Sequence, residues 1–162
     1  MGITIAVETP LQDDVRALIA ELNDAITAQE PATPEEFNFR MTVDEMAGSE
    51  TTVWVARING EAVGCGALLR HRGGFGEVKR MYVRRSAQGK GVGGLILAEI
   101  ESLAAAEGLR YLALETGGDG YGAARRVYER AGYRRCGAFG DYPDNPYSTF
   151  YRKDLSAAPA VA

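Results

Sequence analysis

The chain has very few of the residues on which several classes of protein depend. Its only cysteines, Cys65 and Cys136, stand far apart, and His71 is its one histidine. That is too few for a usual zinc site and leaves no disulfide framework, which fits a reducing compartment. Excess positive charge is also missing: 18 Lys and Arg face 22 Asp and Glu, for a formal net charge of -4. The overall basic footprint of a nucleic-acid binder is therefore absent. No window approaches the roughly 18 apolar residues in succession that a membrane span requires. Met1 to Pro10 has neither the basic start nor the long apolar stretch of a targeting segment. The expectation is a soluble cytoplasmic protein with no metal, nucleic-acid or membrane partner. There is no internal repeat, and the small residues of Ser156 to Ala162 suit a disordered tail.

What is present is enough for one core. With 162 residues, 46% of them hydrophobic, residues 1–155 are expected to form a single domain. Ile3, Ile5 and Val7 alternate with Thr4, Ala6 and Glu8, a short strand ended by Pro10. Val15, Leu18, Ile19, Leu22 and Ile26 recur at helical spacing from about Gln12 to Ala28. Thr33, Pro34 and Glu36 resemble an N-cap signature for a second helix or irregular segment reaching about Gly48. Asn59-Gly60 is a two-residue hairpin signal between strands Thr51 to Ile58 and Glu61 to Arg70. In the next strand, Phe75 to Val83, Val78 has the opposite parity to Met81 and Val83, which predicts a bulge near Lys79 or Arg80. A helix with Val92, Leu95, Ile96, Ile100 and Leu103 on one face follows, then a strand Tyr111 to Glu115. A helix through Ala124, Val127, Tyr128 and Ala131, and strands Tyr133 to Phe139 and Tyr147 to Lys153, complete the chain.

The most informative segment is Gln88-Gly89-Lys90-Gly91-Val92-Gly93, between the bulged strand and the long helix. Glycines at a helix entry let phosphate oxygens approach backbone N–H groups that no Cβ shields. The helix dipole and the nearby Lys90, Arg84 and Arg85 add positive character. A Walker loop is excluded, because Gly91 follows Lys90 where Ser or Thr is required. Gly89, Gly91 and Gly94 do fit a dinucleotide fingerprint, with Glu107 or Glu115 about 20 residues on, but the loop does not open a first βαβ unit. An ordinary tight turn and a dinucleotide site stand as the alternatives to a polyphosphate loop.

The order strand, glycine-rich turn, helix, strand, helix resembles the GNAT superfamily of N-acetyltransferases over most of the chain. Gln88 to Gly93 is similar to the family's Gln/Arg-x-x-Gly-x-Gly/Ala pyrophosphate loop. Ala124-Arg125-Arg126-Val127-Tyr128-Glu129-Arg130-Ala131-Gly132-Tyr133 is similar to its Ala-x-x-x-Tyr-x-x-x-Gly-Phe helix. The resemblance implies an α/β (α+β) fold: a mixed, mostly antiparallel sheet of about seven strands flanked by helices, with the bulged strand splayed from Tyr111 to Glu115. It further implies acetyl-CoA as acyl donor. Met81, Tyr82 and Val83 would bond the pantetheine, Gln88, Gly89, Lys90, Gly91, Val92 and Gly93 the pyrophosphate, and Tyr128 would face the thiol. The family often carries Asn where this chain has Tyr121, so that contact is left unassigned.

Acetyl transfer to an amine needs a base, an oxyanion donor and a proton for the departing thiolate. Glu77 is the first candidate base and Glu115 the second; the alternative for Glu77 is an ordinary strand charge beside Lys79. Tyr128 is the candidate proton donor, with core packing as its other reading. The Tyr82 amide in the bulge is the candidate oxyanion donor. His71 reads as a solvated turn residue, and Cys65 and Cys136 as small packing groups. The expected activity is direct acetyl transfer to a primary amine of a small molecule. The alternatives are a protein or peptide N-acetyltransferase and a non-catalytic acyl-CoA sensor. Strand edges near the C-terminus offer surfaces for a homodimer.

Overall fold

The structure is a computed structural model that describes residues 2–30, 32–117 and 122–155. The tail 156–162 and Tyr121 lie outside the described residues. Seven strands and four α-helices follow in the order β1 (Ile3–Val7), α1 (Asp13–Gln29), α2 (Val43–Met46), β2 (Thr51–Ile58), β3 (Glu61–His71), β4 (Phe75–Val83), α3 (Val92–Ala106), β5 (Tyr111–Thr116), α4 (Gly122–Arg130), β6 (Arg134–Cys136) and β7 (Thr149–Asp154). They form one sheet in the order β1-β2-β3-β4-β5-β7-β6. Every pair is antiparallel except β4 with β5.

The sheet is covered on both faces. On one face α3 lays Val92, Ile96, Leu97, Ile100 and Ala104 against Trp54, Leu68, Val78, Leu112 and Leu114. Each large aliphatic chain so buried contributes about 1.5–3 kcal/mol. The predicted stripe is corrected at one position: Leu95 is 46% exposed and Leu97 is buried instead. On the other face α1 brings Val15, Leu18 and Ile19 onto Val53, Val55, Cys65 and Ala67, with Met41 and Met46 beside them.

Two local devices fix the centre. Asn59 and Gly60 take φ of 53° and 82°, the left-handed pair that joins β2 to β3 in a tight hairpin. Gly66 lets α3 lie close on β3, since a Cβ there would come within 2.7 Å of Ile96 Cγ2 and 2.5 Å of Met81 Sδ. The segment before β2 departs from the expectation. Glu35–Phe37 is a single 3-10 turn with no side-chain cap, and the capping box is formed by Thr42 and Glu45 at the short helix α2. β6 is also shorter than expected, pairing with β7 over three positions only.

Candidate active site

The site begins where the sheet opens. β4 and β5 are paired only at Gly76 with Leu112 and Glu77 with Ala113. Beyond that joint β4 is bulged: Ala67 opposes Lys79 and Cys65 opposes Tyr82, so Arg80 and Met81 share Gly66. Arg80 accordingly takes a φ of 55°, a left-handed conformation that costs an L-residue about 1–2 kcal/mol. The Arg80 carbonyl accepts a bond from Cys65 Sγ at 3.4 Å, and its guanidinium donates to Asn23 on α1. The predicted bulge and splay are thus both present. Between the separated strands lies a cleft of about 620 Å³.

Alternation along the antiparallel ladder decides which backbone groups face that cleft. The Arg84 N–H donates to Val63 O at 2.8 Å, and Val83 opposes Gly64 while Tyr82 opposes Cys65. Hydrogen-bonded and non-bonded pairs alternate in such a ladder. The Tyr82 amide therefore faces β3, whereas the main-chain groups of Met81 and Val83 turn to the open side. The Tyr82 hydroxyl donates to Glu21 on α1 at 3.2 Å. Arg84 pairs with the same Glu21 at 2.8 Å and holds this end of β4 to α1.

At the far end of the cleft the chain turns into α3. Gly89 and Gly91 have φ of 80° and 79°, and a Cβ at either would meet nothing within 4 Å. Gly91 is the N-cap of α3, whose first turn carries no acidic residue. By contrast Asp13 and Asp14 occupy the first turn of α1. Free N–H groups, an uncompensated helix dipole and open space are what a pyrophosphate needs. Gln88 Nε2 donates to Val83 O at 3.1 Å and ties the loop to β4. Gln88, Gly89, Gly91, Val92 and Gly93 line the cleft together with Met81, Tyr82 and Val83. Lys90 is exposed and is not among the lining residues.

Two carboxylates with opposite surroundings lie in the middle. Glu77 is 2% exposed, and both of its oxygens are engaged. Oε1 faces His71 Nε2 at 2.8 Å; Oε2 accepts from Lys79 Nζ at 3.2 Å and from the Tyr142 hydroxyl. Burial alone would raise this carboxyl, but His71, Lys79 and Tyr142 together hold it below the ordinary carboxylate range. His71 is thus no solvated turn residue: it stacks on Phe75 at 4.6 Å and supports Glu77. Glu115 behaves oppositely. Burial, reinforced by the carboxylates of Glu30 and Glu77, pushes it up to about 7 against the opposing pull of Ser148 and Lys79. Ser148 Oγ donates to Glu115 Oε2 at 2.7 Å.

Tyr128, on α4, lines the same cleft and packs against Tyr133 at 6.0 Å and Tyr151 at 6.4 Å. Tyr128 is thus packed in the core and borders the cleft at the same time. Burial, and then the charge of Glu115, drive its phenol well above the usual range, so it stays protonated. Cys65 is fully buried and Cys136 partly so, both as free thiols. No group of acidic, histidine and cysteine residues able to hold a metal occurs among the described residues. No described helix is long and apolar enough to cross a membrane.

The opposite wall of the cleft is aromatic and comes from residues 28–48 and 139–147. Phe37 and Phe39 lie edge to face at 6.5 Å, Phe37 stacks on Tyr147 at 5.5 Å and Phe39 meets Tyr142 at 4.9 Å. The aromatic content of 139–147 was the available signal for Tyr142 and Tyr147. The parity break marks Arg80 as a bulge position, but nothing in the local pattern marks Arg40 or Arg80 as a cation without a carboxylate.

Residues 16–133 match the model of a family described as Acetyltransferase (GNAT) family. The chain is 42% identical over 156 residues to a protein of Azospirillum brasilense named IAA acetyltransferase, covering 95% of this chain and 99% of that one. It is similar to a solved Klebsiella pneumoniae structure described as a candidate acyl-CoA N-acyltransferase, at TM-score 0.77 and 33% identity, covering 94% and 97% of the two chains. A GNAT family acetyltransferase from Elizabethkingia anophelis, solved with acetyl-CoA bound, shares the fold at TM-score 0.67 and 18% identity, covering 94% of this chain and 97% of that one.

Proposed function

Because the chain belongs to the GNAT acetyltransferase family, and so is an N-acetyltransferase, we propose that it passes an acetyl group directly from acetyl-CoA to the amine of a small molecule. The observation that carries this reading is a single cleft that joins the open α3 entrance, the splay of β4 from β5, and two opposed proton-transfer groups, Glu115 and Tyr128. Acetyl-CoA, when bound, supplies an acetyl group activated as a thioester. The amides of Gly89 to Gly93 and the N-terminus of α3 hold its pyrophosphate. The outward main-chain groups of Met81 and Val83 hold the pantetheine arm as a neighbouring strand would.

The chemistry falls to three groups. Glu115, balanced near neutrality, removes one proton from the acceptor ammonium, leaving a neutral nitrogen with a lone pair. As nitrogen bonds to the carbonyl carbon, the Met81 amide donates to the carbonyl oxygen where negative charge gathers. The carbon–sulfur bond breaks, the Tyr128 hydroxyl, which has no hydrogen-bond partner among the described residues, gives the leaving sulfur its proton, and the second proton that the nitrogen sheds as it becomes an amide passes through solvent to restore the Tyr128 phenol. Glu77 serves here as a fixed anion that positions Lys79 and Tyr142; its oxygens are occupied and its carboxyl is held too acidic for the base. The Tyr82 amide is committed to β3, so the oxyanion role passes to its neighbour. A cleft walled by Phe37, Phe39 and Tyr142 suits a compact amine better than a peptide groove.

Calorimetric titration tests the donor, with NADH as control ligand and the Gly91→Asp variant alongside. Binding of acetyl-CoA alone, abolished in the variant by negative charge and a strained φ at the helix entrance, is expected. A preference for NADH, or intact affinity in the variant, would place the site elsewhere. Turnover across a panel of amines and peptides then separates the small-molecule enzyme from a peptide acetyltransferase and from a sensor.

A further inference from the structure

Three partly buried arginines among the described residues each have a carboxylate. Arg57 pairs with Glu8 at 2.9 Å, Arg70 with Glu107 at 2.6 Å and Arg84 with Glu21 at 2.8 Å. Two arginines in the cleft wall do not. Arg80 is 8% exposed, bonds only to the neutral Asn23, and keeps a buried Nε with no partner. Arg40 donates to the Thr27 hydroxyl at 3.0 Å and likewise keeps a buried, unpartnered Nε. Neither has a carboxylate within ion-pair distance among the described residues. Burial lowers Arg80 to about 10, opposed by Cys65 and assisted to a lesser degree by the like charge of Arg40, so Arg80 stays a cation at neutral pH.

A guanidinium taken out of water without a counter-ion costs several kcal/mol, and a second one nearby adds repulsion. The forked donors of arginine match a carboxylate with two parallel bonds. The same cleft presents Glu115 for an ammonium and the rings of Phe37, Phe39 and Tyr142 for an apolar body. We infer that the acceptor is an amine that also carries a carboxylate, of the class of aromatic or apolar amino acids, with Arg80 and Arg40 binding the carboxylate and the aromatic wall the side chain. The inference rests on the proposed acetyl-CoA reaction, since it names that reaction's acceptor.

The test compares N-acetyl-L-phenylalanine with N-acetyl-2-phenylethylamine, which differ only in the carboxylate, as ligands of the protein saturated with CoA. The carboxylate-bearing compound is expected to bind about 30-fold more tightly, the scale of a desolvated charge pair. Arg40→Gln and Arg80→Met should each remove most of that advantage. Arg40 lies outside the regular elements, so its variant keeps the test open if Arg80→Met fails to fold, as judged by circular dichroism. Acetyl-CoA affinity should stay within about twofold in both variants. Equal affinity of the two compounds for the native protein, including no binding of either, would overturn the inference. So would a parallel loss of acetyl-CoA affinity, which would assign the arginines to the phosphates of CoA. Failure of the native protein to bind acetyl-CoA at all would instead overturn the donor assignment.

Discussion

Replacing Glu115 by Gln should make the protein more stable, and only above a defined pH. The folded carboxyl titrates near 7, not at its ordinary 4.5, so between those values the folded chain keeps a proton that the unfolded chain has lost. Stability therefore falls as pH rises through this window and stays at its lowered level above it. At about 1.4 kcal/mol per pH unit the full gap amounts to about 3 kcal/mol, and partial solvation of the site reduces it to about 1–3 kcal/mol. Glutamine keeps the shape and can still accept from Ser148 Oγ, now at 2.7 Å from Glu115, while removing the charge. Urea unfolding followed by the fluorescence of buried Trp54 should show equal stability of parent and variant near pH 4.5 and a variant more stable by that margin near pH 8. The same stability difference at both pH values would refute the raised carboxyl and with it the choice of base. If it holds, kcat/KM of the parent should rise with pH through about 7, and the variant should lose about 10²- to 10⁴-fold in rate together with that rise.

Tyr128→Phe should lower kcat by about 10- to 100-fold while leaving acetyl-CoA affinity and melting temperature nearly unchanged, because the lost hydroxyl has no partner to strand among the described residues. Unchanged turnover would remove Tyr128 from the proton-donor role. Tyr142→Phe takes a donor from Glu77; it should cost about 1–2 kcal/mol near pH 8 and progressively less as acid protonates Glu77, because a lowered carboxyl contributes stability only above its own titration. A loss that does not change with pH would contradict the Glu77 network. Gly76→Ala sets a Cβ 2.6 Å from Leu68 Cδ1 and 2.9 Å from Leu112 Cδ2, beside the only rungs that join β4 to β5. It should destabilise by about 1–3 kcal/mol in thermal melts, and an unshifted midpoint would mean that the joint yields.

Much of this was legible where local chemistry and tertiary need coincide. Asn59-Gly60 can hardly be anything but a hairpin turn, and the parity break at Val78 marked the bulge because a strand facing two cores must keep its alternation. The glycine-rich entrance to α3 was readable for the same reason: the φ of Gly89 and Gly91 is local, and so is the absence of acid in the first turn. The 33–48 segment was not readable, because its capping box could be set at Thr33 or Thr42 by pattern, and the packing of Met41 and Met46 against α1 decided for Thr42. The opposite electrostatics of Glu77 and Glu115 lay further out of reach. It depends on His71 and Tyr142, six and 65 residues from Glu77 in sequence, which the folded sheet alone brings to one carboxylate. Arg40 and Arg80 were silent for the converse reason, since a missing partner leaves no trace in spacing.

The two-rung joint between β4 and β5 has a topological consequence. A sheet of seven strands ordinarily has two borders, and its other backbone groups are spent inside. Here a third border lies in the middle, where the outward groups of Met81 and Val83 have no strand to meet. Exposed borders elsewhere invite other polypeptides and aggregation, but this one faces a cleft whose walls include α1 and α4. The molecule has, in effect, left out part of an eighth strand, and a pantetheine arm lying there, as proposed, would close the sheet as an added strand does. Amides of β4 would then exchange hydrogen like those of a frayed edge in the free protein and like those of a central strand once the gap is filled.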